Sequence, residues 1–535
     1  MNNLCSLPNF CRPRHGAVLV VVLVLVVMVA LAGFGFLAEM TTEYEAARIN
    51  GDLLQAQQMM ASAETYLLAV TEEHVRNPAG LQSLDHNPDL FQARSLSGEQ
   101  SLADIPDRPV ETVETVETPS VTDDVWRFCV VPDLKDSVAS SAMSGDVGME
   151  ADSITSLEAD APSLRFGLQN ESSRLNLNTV LQWDAAEPGR GRRALLQLSG
   201  MTDEAADGIL DWIDADDEAR EFGAEAEYYQ RLNHPCRPRN GLPDTLEELL
   251  FVKGVTRDMF FGSSDQAHFF GDATHSGWPQ QLTLHSAERN VDSAGLPRIY
   301  LNSGSAADLP ELEERLRGIV SEELARYIVL AKMYGISYST ELGIAPLQVD
   351  FNTFSTSTVL PITNLSDLLD SSVQLPAAVG GQRVNSPLTT TELSTLQTFA
   401  ILEDRITTES MTVLPGRVNI NQASEDVLRA LTDDPAAASQ IVQQRQTVDA
   451  TERRSTLWLL TRQVIDLPLY RRIFSDVTTR GHVYSGEIIV YRRIGGPFLR
   501  RKVTIDAANP SVGRVNWLDK TAQGLPVSLN ALELK

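Results

Sequence analysis

At 535 residues the chain exceeds what one small domain needs, and two or three folded units are expected. A 43% hydrophobic fraction suffices for packed cores, whereas a formal net charge of −28 argues against a phosphate-gripping surface, which needs clustered Lys and Arg. Such a charge fits a self-repelling, soluble exterior or one that draws cations.

The N-terminus carries the strongest pattern. Residues 17–38, AVLVVVLVLVVMVALAGFGFLA, are 22 residues without a charge, enough to span a bilayer as a helix. Arg12, Arg14 and His15 precede the run, and Glu39, Glu43 and Glu45 follow it. A positive flank stays cytoplasmic, so the bulk beyond it is expected outside. A secretory signal peptide would have a shorter apolar region ending in small residues. Here a helical pattern continues instead, with Leu53, Ala56, Met60, Ala63, Leu67 and Val70 recurring at steps of three and four. This stripe is expected to receive partner helices. A helix over 17–70 would be about 80 Å long at 1.5 Å per residue. The segment RPRHG before the apolar run resembles a prepilin-type leader, cut between Gly16 and Ala17, with Val21 at the fifth mature position where pilins normally carry Glu. Of the four cysteines, Cys129 and Cys236 would remain after that cut; the sequence does not say whether they meet.

Residues 97–124 are polar and acidic and include VETVETVET at 110–118, a linker composition. VWRFCVV at 125–131 and SLRFGLQ at 163–169 read as strands, with a loop over 133–162. An internal repeat follows: RLNLNT at 174–179, RIYLNS at 298–303 and RVNINQ at 417–422 share basic–apolar–x–apolar–Asn. Each leads into helix, tight turn, helix, and residues 244–260 give a further helix–turn–helix-like piece. Helix-hairpin-helix units often bind DNA through a Gly-rich turn with basic neighbours. Ser199-Gly200-Met201 and Lys253-Gly254-Val255 match in part, but Thr432-Asp433-Asp434-Pro435 puts carboxylates where phosphate would sit. HVYSGEIIVYRR, a Gly-Gly-Pro turn and FLRRKVTIDA then read as two strands.

No HExxH, GxSxG or P-loop occurs, and the eight His lack paired ligand spacing, so no enzyme activity is expected. The one dense polar cluster is Asp211, Asp214, Asp216, Asp217, Glu218 and Glu225, either a solvated loop paired with Arg220, Arg237 or Arg239, or an oxygen-rich cation site without EF-hand spacing.

Several stretches together resemble the type II secretion minor pseudopilin K family, also called general secretion pathway protein K. They are residues 12–38, RLNLN at 174–178, ILDWIDADDEAREFGAEAEYY at 209–229, RPRNGLPDTLEELLFVKGV at 237–255 and RVNINQASEDVLRAL at 417–431. The resemblance implies an α+β fold: a long pilin-like helix, a small sheet and a large inserted helical domain. It implies a leader over 1–16, the helix over 17–76, acidic loops with one strand over 77–162, and a first helical domain over 163–262. An enlarged helical insert over 263–410, a second hairpin unit over 411–480 and a C-terminal β-hairpin region over 481–535 complete the expectation.

For function the resemblance implies a subunit at the tip of a short pseudopilus, nucleating its assembly and serving export of folded proteins across the outer membrane. The implied partners are minor pseudopilins I and J, the major pseudopilin, prepilin peptidase and the inner-membrane secretion platform. The protein would cross the inner membrane once, N-terminus cytoplasmic and bulk periplasmic, with calcium at the acidic cluster and no nucleic acid. The competing reading is a membrane-tethered DNA-handling module of the competence type.

Overall fold

The computed structural model describes residues 16–76, 84–95, 125–132, 164–262, 277–338, 343–348, 359–493, 495–509, 513–525 and 527–533. Arg12, Arg14, His15 and the linker repeat at 110–118 lie outside them. The chain divides into two compact units, Met1–Ser62 with Ser95–Phe128 and Val490–Leu499, and Ala63–Arg94 with Cys129–Ile489 and Arg500–Lys535. The whole is α+β.

Helix α1 runs unbroken over Gly16–Arg76. Its first part is exposed along Val18–Leu37 and is long and apolar enough to cross a membrane, by length and composition. In the first unit Trp126 donates from Nε1 to Gln55 Oε1 at 2.8 Å, and Arg492 pairs with Asp52 at 2.7 Å while lying over the Trp126 ring.

The stripe on α1 answers differently from the expectation. Ala56, Met60, Ala63 and Leu67 are buried within this chain, Val70 is half-buried, and Leu53 alone is exposed. Ala56, Met60, Ala63 and Leu67 are thus covered by the chain itself, while Leu53, and in part Val70, remain open. An apolar stripe reports that something covers it, and the cover here is the chain's own body.

The main sheet is built from β1 (Trp126–Val131), β2 (Val483–Arg492), β3 (Leu499–Asp506) and β4 (Gly513–Asp519), in the order β1-β2-β3-β4. The C-terminal hairpin is thus extended by a third strand, β4. Residues 163–169 do not form the expected strand: only Gln169–Asn170 pairs, antiparallel to Tyr484 and Ser485. Upstream, the Gly167 and Leu168 amides donate to the Val130 and Leu84 carbonyls, so those backbone groups are satisfied without a ladder. Cys129 and Cys236 are not joined by a disulfide, and Cys129 Sγ accepts from the Ala93 amide at 3.1 Å.

The repeat is structural. Each motif contributes a two-residue strand that pairs in parallel with one closing the same segment. Leu175–Asn176 pairs with Leu282–Thr283, Ile299–Tyr300 with Ile406–Thr407, and Val418–Asn419 with Val477–Thr478. Parallel pairing needs a crossover, and the helix hairpins supply it. They are Arg190–Leu196 with Asp203–Ile213, Leu309–Arg317 with Glu322–Tyr334, and Glu425–Thr432 with Pro435–Gln444. The motif's apolar positions Leu175, Leu177, Leu301, Val418 and Ile420 are fully buried in one continuous core. Its basic position meets a buried carboxylate. Arg174 pairs with Glu171 at 2.7 Å and Arg417 with Glu288 at 3.1 Å, while Thr283 and Thr478 donate to the same two glutamates. A buried charge without such partners would cost several kcal/mol, which accounts for the Arg in the repeat. Between the first and third copies, Ala287–Arg289 pairs antiparallel with Val413–Pro415, so residues 290–412 are bracketed by two paired strands.

Candidate cation site

The acidic cluster begins on the helix Asp203–Ile213. Thr202 caps its start by accepting from the Ala205 amide, and Asp214 follows its end in extended backbone. Asp207, Asp211 and Asp214 step along one face and are 2%, 0% and 7% exposed. The loop after them folds back to meet these carboxylates. Arg220 donates from Nη1 to Asp211 Oδ1 at 2.7 Å and to Asp214 Oδ2 at 2.6 Å, and from Nη2 to Asp184 Oδ2 at 3.1 Å. Burial alone would lower the Arg220 pKa; its bonds to three carboxylates override that and raise it. Asp207 accepts from Arg192 Nε and the Phe222 amide. Gly223 packs so closely that a Cβ there would lie 1.8 Å from Asp211 Oδ2, which is why Gly stands at that position.

This return brings Asp214, Asp216 and Glu225 together, one carboxylate oxygen of each within 4.8 Å of the others. Asp214 and Glu225 are buried and Asp216 is exposed. Three buried oxygens here have no hydrogen-bond partner: Asp214 Oδ1 and both oxygens of Glu225. Orphaned buried carboxylate oxygens are costly, and burial with the charges of Asp211, Asp214, Asp217 and Asp216 pushes Glu225 up to about 7. Asp211 and Asp214 are also raised, by burial, against the opposing pull of Arg220. An all-oxygen set with unsatisfied lone pairs fits a hard divalent cation such as calcium.

The other cluster members have different positions. Asp211 anchors Arg220. Asp217 Oδ1 accepts from Asn240 Nδ2 at 3.2 Å, and Glu218 lends its backbone amide to Asp216 Oδ1 at 2.9 Å while remaining exposed. Arg239 pairs elsewhere, with Asp244 and Glu248. Asn240 and Asp184 were not marked by the sequence: Asn240 is 23 residues from its acceptor and Asp184 sits on a preceding helix.

The hairpin turns carry acidic neighbours. Ser199 donates to Asp426, Lys253 lies 3.7 Å from Glu204, and Asp433 occupies the left-handed turn position after Glu425–Thr432.

No curated protein matches the chain. Among solved structures it is similar to a chain of the crystal structure of the GspK-GspI-GspJ complex from the enterotoxigenic Escherichia coli type 2 secretion system. That likeness has 10% sequence identity and a TM-score of 0.39, over 88% of this chain and 98% of that chain. Residues 173–261, the segment that builds the carboxylate site, match the family of type II secretion system protein K, and the resemblance drawn from the sequence stands on that segment.

Proposed function

We propose that the protein is a minor pseudopilin of a type II secretion system, a structural subunit rather than an enzyme. The observation that carries this reading is the protein K match over residues 173–261, on a chain whose N-terminal helix is apolar over a membrane's thickness and then continues unbroken. In this reading prepilin peptidase cuts between Gly16 and Ala17, the helix is held in the inner membrane, and the remainder lies in the periplasm. Minor pseudopilins I and J are its partners, and the complex starts a pseudopilus that serves export of folded proteins. Val21 supports a tip position. A carboxylate within the bilayer costs roughly 2.5–3.5 kcal/mol on insertion scales unless a neighbour's amine meets it, and a subunit with none ahead of it has no use for one.

Asp214, Asp216 and Glu225 would hold calcium, with Asp211 and Arg220 keeping the loop in place. The ion would supply the positive charge that the three orphaned oxygens lack. The DNA-handling reading gains no support from turns surrounded by Glu204, Asp426 and Asp433. Gold labels against the exported domain on sheared pseudopili test the tip position. One label at one end is expected, and labels along the whole shaft would make the protein an ordinary repeating subunit.

A further inference from the structure

The loop that returns to the carboxylates is held from two sides. On one side its amides meet the helix Asp203–Ile213: Phe222 donates to Asp207 Oδ2 at 3.2 Å, and the Ala224 amide donates to Asp211. On the other side its carbonyls meet a single ammonium. Lys253 donates from Nζ to the Phe222 carbonyl at 2.9 Å and to the Gly223 carbonyl at 3.1 Å. Glu225 stands two residues further on. The ammonium is directed at the two carbonyls and not at Glu225, whose side-chain oxygens both lack a hydrogen-bond partner.

Lys253 is itself fixed. It lies in the turn after Leu246–Phe251, closed by the Val255 amide on the Val252 carbonyl at 3.2 Å. Its own amide donates to Tyr229 Oη at 3.1 Å, and its carbonyl packs on Gly208, where a Cβ would lie 2.7 Å from it. Its ammonium is 5.4 Å from the centre of the Tyr228 ring. Tyr228 and Tyr229 belong to the helix Ala226–Gln230, which starts directly after Glu225. One residue therefore holds the chain on both sides of Glu225. Its ion pair with Glu204 is 3.7 Å long and half exposed, a weaker hold than two charge-assisted hydrogen bonds.

We propose that Lys253 is the positioning residue of the cation site: by holding the Phe222 and Gly223 carbonyls it delivers Glu225 to Asp214 and Asp216, and a cation binds weakly without it. Charge alone gives the opposite sign. An ammonium near a cation repels it, so removing Lys253 would tighten binding if repulsion were its main effect. The turn Lys253-Gly254-Val255 thus has its lysine engaged inside the fold rather than turned out to a phosphate. The inference rests on the cation reading of the three carboxylates, whereas the placement of Glu225 can be measured without metal.

Two measurements on the full chain in detergent micelles test it: calcium affinity by isothermal titration, and amide hydrogen exchange in chelator. Lys253→Met keeps the length of the side chain and removes its donors and charge. It is expected to weaken calcium about tenfold and, in chelator, to speed exchange about tenfold over 222–226, the loss of one charge-assisted hydrogen bond, while the helix 203–213 is unchanged. Lys253→Arg keeps charge and donors and is expected to restore most of both. Calcium binding by Lys253→Met as tight as in the wild type, or tighter, would overturn the proposal, and so would a Lys253→Arg as weak as Lys253→Met. If Lys253→Met speeds exchange across 203–213 as well, the domain has loosened, and Lys253→Gln, which keeps a neutral donor, takes its place under the same criteria. A wild type that binds no calcium overturns the cation reading. Exchange over 222–226 left unchanged by the substitution overturns the role of Lys253, whether or not calcium binds.

Discussion

Glu225 and His482 are buried titratable groups whose effects on stability have opposite signs. Glu225 is raised to about 7 by burial and by neighbouring carboxylates. Its contribution is fully present below the ordinary carboxylate range and is lost as pH rises through about 7, unless a cation offsets the charge. In chelator the melting temperature should fall between pH 5 and pH 8, Glu225→Gln should flatten that fall, and calcium should abolish it. At one hundred times its dissociation constant, calcium should add about 2.7 kcal/mol, and Asp214→Ala or Asp216→Ala should remove most of the gain. An unchanged melting temperature across millimolar calcium would leave these carboxylates a plain acidic loop. His482 runs the other way. Burial pushes it down to about 4, its Nδ1 accepts from the Arg289 amide, and its backbone links Ala287 and Ala507. Its stability is present above about 6.5 and lost as pH falls toward 4, so His482→Gln should weaken the acid transition seen by circular dichroism. The cluster as a whole was legible in the sequence because seven carboxylates crowd the fifteen residues 211–225. Which of them converge was not, since that depends on Arg220 drawing the loop back and on Gly223 allowing the approach.

At the scale of elements, periodicity read best where an element serves one purpose. Helix α1 and the three helix hairpins follow their spacing, and α1, expected over 17–76, runs over Gly16–Arg76. The stripe on α1 was legible as buried and illegible as to what buries it. SLRFGLQ has strand composition, yet most of it satisfies its amides singly, and β4 escaped notice because GRVNWLD has no clean alternation. Two consequences can be measured. Gly16 replaced by a bulky residue should leave the precursor uncut, whereas a wild-type mature protein beginning near residue 38, found by mass spectrometry, would mean ordinary signal-peptide processing. Gly416 has φ +76°, and a Cβ there would lie 1.8 Å from Thr179 Oγ1. Gly416→Ala should therefore cost at least about 2 kcal/mol in urea unfolding, with no change in cation affinity.

For the whole molecule, a subunit at a tip should occur about once per fibre. Quantitative mass spectrometry of purified pseudopili should find it in a small, constant ratio to I and J and far below the major subunit; a ratio that rises with fibre length would contradict the tip position. The pairing of Arg289 with Val413 bears on the molecule's history. Residues 290–412 leave and re-enter the body at one ladder, so the chain on either side meets whether or not that block is present. The first and third copies already close through Leu282–Thr283 and Val477–Thr478 without strands from the second. A lineage can gain or shed the whole block by an event at a single junction, with only a tight turn to remake, and total length is then a poor guide to kinship among such chains.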